Sequence, residues 1–146
     1  MLDAVEREQP NEIFHLGDCL RDAESLSFAY PEIPVIMVPG NCDGWTGMSE
    51  RLLLERDGVR ILLAHGHRWH VKSGAGAALA DARMCGADIL LYGHTHQAVC
   101  RREEDGLWHM NPGTVGGIGA RATYGVIELE KGCAACKLVR AAEESQ

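Results

Sequence analysis

The stretch Leu90 to Val99, LLYGHTHQAV, sets His94 and His96 one residue apart directly after an apolar run. Other apolar runs end in comparable chemistry: Leu16-Gly17-Asp18, Val38-Pro39-Gly40-Asn41 and Leu63-Ala64-His65. Together these ends supply a carboxylate, an amide and imidazoles. Oxygen and imidazole donors without a thiolate suit Mn²⁺, Fe, Zn²⁺, Co²⁺ or Ni²⁺ more than Ca²⁺. An amide is a weak donor, and Asn41 makes sense where a carboxylate already serves two cations. Each piece alone has an ordinary reading. Gly-Asp and Gly-Asn are common turns, and His65 after a strand reads equally well as a satisfied core histidine. The pair His94 and His96 is far more specific, and the recurrence of such ends in one chain weighs against the ordinary readings.

Such residues can meet only if the elements before them bring their ends together. In α/β sheets the crevice beyond the carboxyl ends of the strands is where ligands bind. If residues 94–96 are extended, positions i and i+2 point the same way, so His94 and His96 would both face that crevice, with Gly93 leaving the backbone free to turn. The sequence predicts a helix tail at 1–8, a buried strand at 12–16 and a helix over 22–30 stopped by Pro31. A second buried strand follows at 34–38, then a hairpin over 51–65 with Asp57-Gly58 as a primed turn. A polar loop at 66–74, a small-residue helix at 75–86 stopped by Gly86 and a buried strand at 88–93 come next. From residue 98 onward the pattern is strands alone, at 98–102, 107–110, 123–130 and 136–140. Alternating strands and helices followed by strands make a mixed α/β layered protein, read here as one domain over 1–146.

Composition narrows the function classes. The net charge of -7 argues against strong nucleic-acid binding and against anionic membranes. It leaves room for a phosphate-bearing substrate held by metal ions, since such a site is acidic until the metals arrive. No apolar run approaches the ~18 residues of a membrane span. The start carries no apolar signal segment, so the expectation is a cytoplasmic protein. The six cysteines show no paired framework and read as free thiols. Cys133 and Cys136 form a lone CxxC, taken as two incidental thiols with a zinc or redox role as the alternative. His15 and His109 read as structural, and His70 as a solvated loop residue. His67 is a candidate to touch substrate. Trp45 and Trp69 can pack on a substrate or simply pack.

The ordered set HLGD, VPGNCD, LLAHGHR, LLYGHTHQ and MNPGTV, from about Ile13 to Leu129, resembles the calcineurin-like metallophosphoesterase superfamily, in its small single-domain bacterial and archaeal phosphodiesterase branch. The resemblance implies a four-layer α/β/β/α sandwich of two mixed sheets with a two-metal site at the strand ends. Carried over, Asp18 would bridge both cations, Asn41, His65 and His94 would complete one, and His96 would bind the other. Manganese is the first expectation, with nickel, zinc, iron or cobalt behind it. A metal-bridged hydroxide would attack phosphorus in a small phosphodiester or phosphomonoester. Asn41 and His67 are the residues expected to act on the substrate. Larger relatives carry a histidine after the metal-binding asparagine. Cys42 stands there in this chain, so His67 or water would protonate the leaving group. The family's opening strand and Asp-x-His motif have no counterpart before Asp18, so the expectation is one cation held better than two, a sheet without its first strand, and weak activity. A catalytically impaired protein-binding scaffold on the same fold is the alternative, and a homodimer is compatible with the strand edges.

Overall fold

The structure is a computed structural model that describes residues 1–116 and 121–141. Helix α1 (Leu2–Glu8) ends where Gln9 turns left-handed, its N–H bonding the carbonyl of Val5. Strand β1 (Ile13–His15) follows, then helix α2 (Leu20–Ala29). Tyr30 closes α2 by donating to Leu26, and Pro31 cannot carry the helix further. Ala23 and Leu26 are the buried side chains of α2; their i, i+3 spacing puts them on one face. Strand β2 (Val35–Met37) runs parallel to β1, with Ile13 opposite Val35 and His15 opposite Met37.

The central sheet holds β3 (Arg51–Arg56), β4 (Val59–Ala64), β5 (Ile89–Leu91), β6 (Val99–Arg102) and β7 (Trp108–Asn111), in the order β3-β4-β5-β7-β6. Asp57 and Gly58 join β3 to β4 with φ of 50° and 76°, the left-handed pair that a primed hairpin turn requires. Strands β4, β5 and β7 are parallel, and β3 and β6 pair antiparallel at the edges. The crossover from β4 to β5 carries helix α3 (Gly76–Met84).

Strand alternation sorts this sheet into two cores. On one face Ile61, Leu63, Ile89, Leu91 and Met110 pack with Val38 and Cys136. On the other, Leu62 and Leu90 pack with Ala78 and Ala82 of α3 and with Tyr92. Both faces of β4 and β5 are therefore covered, which is why these segments read as unbroken apolar runs. Truncating Leu62, which is fully buried, to alanine would cost roughly 2–5 kcal/mol.

The hairpin of β8 (Thr123–Glu130) and β9 (Cys133–Arg140) and the β1–β2 pair cover the first of those faces. The layers are thus α3, the five-stranded sheet, a second layer of strands, and α2, the mixed α/β sandwich expected. That second layer consists of two separate two-stranded ladders among the described residues. Strands β1 and β2 are half-buried where full burial was expected, because β1 has β2 as its one hydrogen-bonded neighbour among the described residues.

Two further differences have simple causes. Strand β9 starts at Cys133, three residues before the predicted strand, because pairing of Glu130 with Cys133 draws weak strand formers into register. Cys133 is exposed and Cys136 buried, as an i, i+3 pair on a strand must be, so CAAC does not present two thiols together. The expected polar loop is two 3-10 turns, His67–Trp69 and Val71–Ser73. No helix among the described residues is long and apolar enough to cross a membrane.

Candidate metal centre

The turn leaving β1 and the turn leaving β2 press directly against each other. Gly17, Asp18 and Cys19 all take left-handed φ, at 94°, 56° and 63°. Two of these are not glycine, and such backbone costs free energy that surrounding contacts must offset. Asp43 provides those contacts. Its Oδ2 accepts the N–H of Asp18 at 2.8 Å and that of Gly40 at 2.7 Å, and its Oδ1 accepts the N–H of Leu20 at 3.1 Å. Partial burial pushes the Asp43 carboxyl up, yet the donors from Gly40, Leu20 and Asp18 together outweigh it and hold the group below its usual range. A Cβ on Gly40 would stand 2.5 Å from the nitrogen of Asp18. Glycine at 40 is what lets the two turns approach.

His65, at the end of β4, stands at the centre of the site with 2% of its side chain exposed. Its Nδ1 lies 2.6 Å from the carbonyl oxygen of Leu16. A carbonyl only accepts, so Nδ1 donates to it, and Nε2 is the ring nitrogen turned to the site. Around Nε2 lie Asn41 Oδ1 at 3.1 Å, His94 Nδ1 at 3.1 Å and Asp18 Oδ2 at 3.3 Å. Ligand atoms of Asp18, His65 and His94 all fall within 4.8 Å of one another. Oxygen and nitrogen donor atoms gathered this closely can share one cation. The second-sphere bond from Nδ1 to a backbone carbonyl is the usual orienting device for a metal-binding histidine. The donor set fits a divalent transition metal.

His94 reaches the site from the turn after β5. Gly93 N–H bonds the carbonyl of His65 at 2.9 Å, tying the two turns together. Asn111, fully buried at the end of β7, donates from Nδ2 to the Gly93 carbonyl and to Thr95 Oγ1, each at 2.9 Å, and accepts from Gly113 N–H at 3.0 Å. Burial lowers the His94 pKa, and the neighbouring His65 and Lys72 lower it further, so the ring is held in the neutral form that can bind a metal.

The other expected residues are placed as follows. Asn41 is exposed but turns Oδ1 to His65. His96 is exposed and lies outside the group that converges with Asp18. His94 and His96 have φ of 66° and 58°, so the segment is not extended and the alternation argument for their facing one way does not apply. His67 stands beside the centre, its ring centroid 5.5 Å from that of His65 and 6.2 Å from that of His94. Its Nδ1 is buried without a partner among the described residues, and its Nε2 is 4.0 Å from Glu50. Burial, then His65, lower its pKa. Cys42 is exposed. Its N–H donates to Asp18 Oδ1 at 2.9 Å, and the Asp18 carboxylate pushes the thiol pKa up. Trp45 is 94% exposed. Trp69 is held in place by its Nε1, which donates to Asp81 at 3.0 Å.

Asp43 and Asn111 lie within VPGNCD and MNPGTV, and their roles are visible only in the folded chain. A lone aspartate in a turn-rich loop and an asparagine before proline carry no signal of their tertiary partners. Nor could the Leu16 carbonyl be found from residue types.

Residues 1–132 match the calcineurin-like phosphoesterase superfamily domain. The probable metallophosphoesterase YsnB of Bacillus subtilis is 31% identical over 128 residues, which cover 84% of this chain and 70% of that protein. The phosphodiesterase YfcE of Escherichia coli K12 is 31% identical over 106 residues, covering 64% of this chain and 52% of YfcE, so the chain spans about half of that relative. A crystal structure of a predicted phosphoesterase from Streptococcus pneumoniae TIGR4 superposes with a TM-score of 0.75 at 25% identity, covering 94% of this chain and 79% of that one. A Vps29 double mutant from Entamoeba histolytica shares the fold, with a TM-score of 0.74 at 21% identity, covering 97% and 88% of the two chains.

Proposed function

The chain belongs to the calcineurin-like phosphoesterase superfamily, and from that premise we propose that it is a metal-dependent phosphoesterase acting on phosphodiesters. The observation that carries this reading is the convergence of Asp18, Asn41 and His94 on Nε2 of His65. Those four side chains would hold one divalent cation, manganese first. His96 lies outside this group, so one cation is held better than two. A bound cation supplies Lewis acidity to the phosphoryl oxygens and acidifies water.

The chain's own groups do the rest. Asn41 orients the phosphoryl group from the exposed side of the centre. Asp43 and Asn111 hold the turns that carry Asp18 and His94, so positioning precedes binding. His67 stands beside the leaving group and delivers its proton. Cys42 is poorly suited to that step, because its thiol lies against the Asp18 carboxylate.

The test is hydrolysis of bis(p-nitrophenyl) phosphate by the purified protein with and without Mn²⁺. Turnover that needs the metal and disappears in both Asp18→Asn and His94→Ala is the expected result. Equal rates in the variants and the parent, or no turnover with any of Mn²⁺, Ni²⁺, Zn²⁺, Fe²⁺ or Co²⁺, would overturn it and favour the protein-binding scaffold.

A further inference from the structure

Beside the metal centre lies a cavity of about 180 Å³, bounded by Glu50, Arg51, Ala64, His67, Arg68 and Trp69 among others. It adjoins the centre through His65 and His67, which line it and whose ring centroids lie 5.5 Å apart. A larger cavity, about 210 Å³, lies between α1 and β8 and shares none of these residues.

Three properties define what this cavity can take. Its size is below the ~300 Å³ at which drug-sized pockets begin. Its walls enclose one ring or a short branched chain, and a nucleoside would extend beyond them. Its charges are spoken for. Arg68 makes two bonds to Glu50, at 2.9 and 3.3 Å, and Arg51 makes two to Asp81, both at 2.8 Å. Each arginine turns Nε and Nη2 to its carboxylate, so both charges and that of Glu50 are already paired. Its floor is fixed. Ala64 is buried at the end of β4, paired with Arg51 of β3, and Trp69 is pinned to α3 through Asp81.

We infer that this cavity receives one uncharged ester group of the phosphodiester, no larger than a single ring, and so sets the substrate class. This rests on the phosphodiesterase reading above. Substrates whose ester groups carry further phosphates or a nucleoside would have to leave the cavity empty. Ala64 lines it from the end of β4, so a larger side chain there would fill part of it.

The experiment is titration calorimetry of the Mn²⁺-loaded protein with inorganic phosphate, methylphosphonate, phenylphosphonate and 1-naphthylphosphonate. Phenylphosphonate should bind roughly tenfold tighter than methylphosphonate, since one ring leaves water, and 1-naphthylphosphonate no tighter than phenylphosphonate. In Ala64→Leu the phenyl preference should fall to within about twofold of methyl. Naphthyl binding tighter than phenyl in the parent protein would overturn the inference without any variant. A phenyl preference unchanged in a folded Ala64→Leu would do the same. If phosphate binds and phenyl gains nothing, the cavity assignment falls and the phosphoesterase reading stands. If neither phosphate nor any phosphonate binds, both fall.

Discussion

Asp43 grips the backbone of Asp18: the Asp18 N–H donates to Asp43 Oδ2 at 2.8 Å, and the same oxygen takes the N–H of Gly40 at 2.7 Å. One carboxylate thereby joins the two turns that bring Asp18 and Asn41 to His65. It does so at a backbone that is left-handed at Asp18 and Cys19, where a turn without such a clasp would relax.

Asp43→Asn should lower stability by about 1–3 kcal/mol, because charge-assisted bonds from three N–H groups are weakened or lost. The pH dependence has a fixed sign. The folded-state pKa of Asp43 is depressed, so its contribution is present above its unfolded value of about 4 and fades as pH falls through the folded value. Urea unfolding of parent and variant between pH 6 and pH 2.5 checks it: the gap between them should close on the acid side. A gap independent of pH would refute the assignment.

Gly40→Ala should destabilise the protein by about 1–3 kcal/mol through collision with the Asp18 turn. A Gly-to-Ala change at a compatible site normally stabilises by about 0.4–1 kcal/mol through the unfolded chain. The two effects have opposite signs, so a thermal melt decides between them. Mn²⁺ affinity should fall together with stability, because the same contact places Asp18.

Asn111→Ala should cost about 1–3 kcal/mol by leaving the Gly93 carbonyl without its buried donor. Since that bond holds the turn bearing His94, Mn²⁺ affinity should drop roughly 10–100-fold. Calorimetry with Mn²⁺ on a variant that still melts cooperatively is the measurement. Unchanged affinity would show that Asn111 serves the fold alone.

His67→Ala should slow hydrolysis of esters with poor leaving groups by about 10²-fold or more, the lower range for a positioned proton donor. Aryl esters that leave without a proton should be nearly unaffected. A plot of rate against leaving-group pKa for parent and variant reads this directly, with a steeper slope expected in the variant. Parallel slopes would remove His67 from proton delivery.

Much of this protein was legible in order along the chain. The buried runs of β4 and β5, the Asp57-Gly58 hairpin and the stop at Gly86 follow from local patterning, because burial on both faces and left-handed turns each demand particular residue types. The residue types at the strand ends pointed to a candidate metal site for the same reason: carboxylate, amide and imidazole after apolar strands have chemistry to offer and little packing to do. What no local pattern could carry is which of these groups meet. His94 converges with Asp18 and His65 while His96 stays exposed, and that depends on left-handed turns fixed by Asn111 and His65, distant in sequence. The orientation of the His65 ring depends on the Leu16 carbonyl, and the Asp18 turn on Asp43. Backbone groups are the same at every position of a chain, so only the tertiary structure decides which of them a side chain will find.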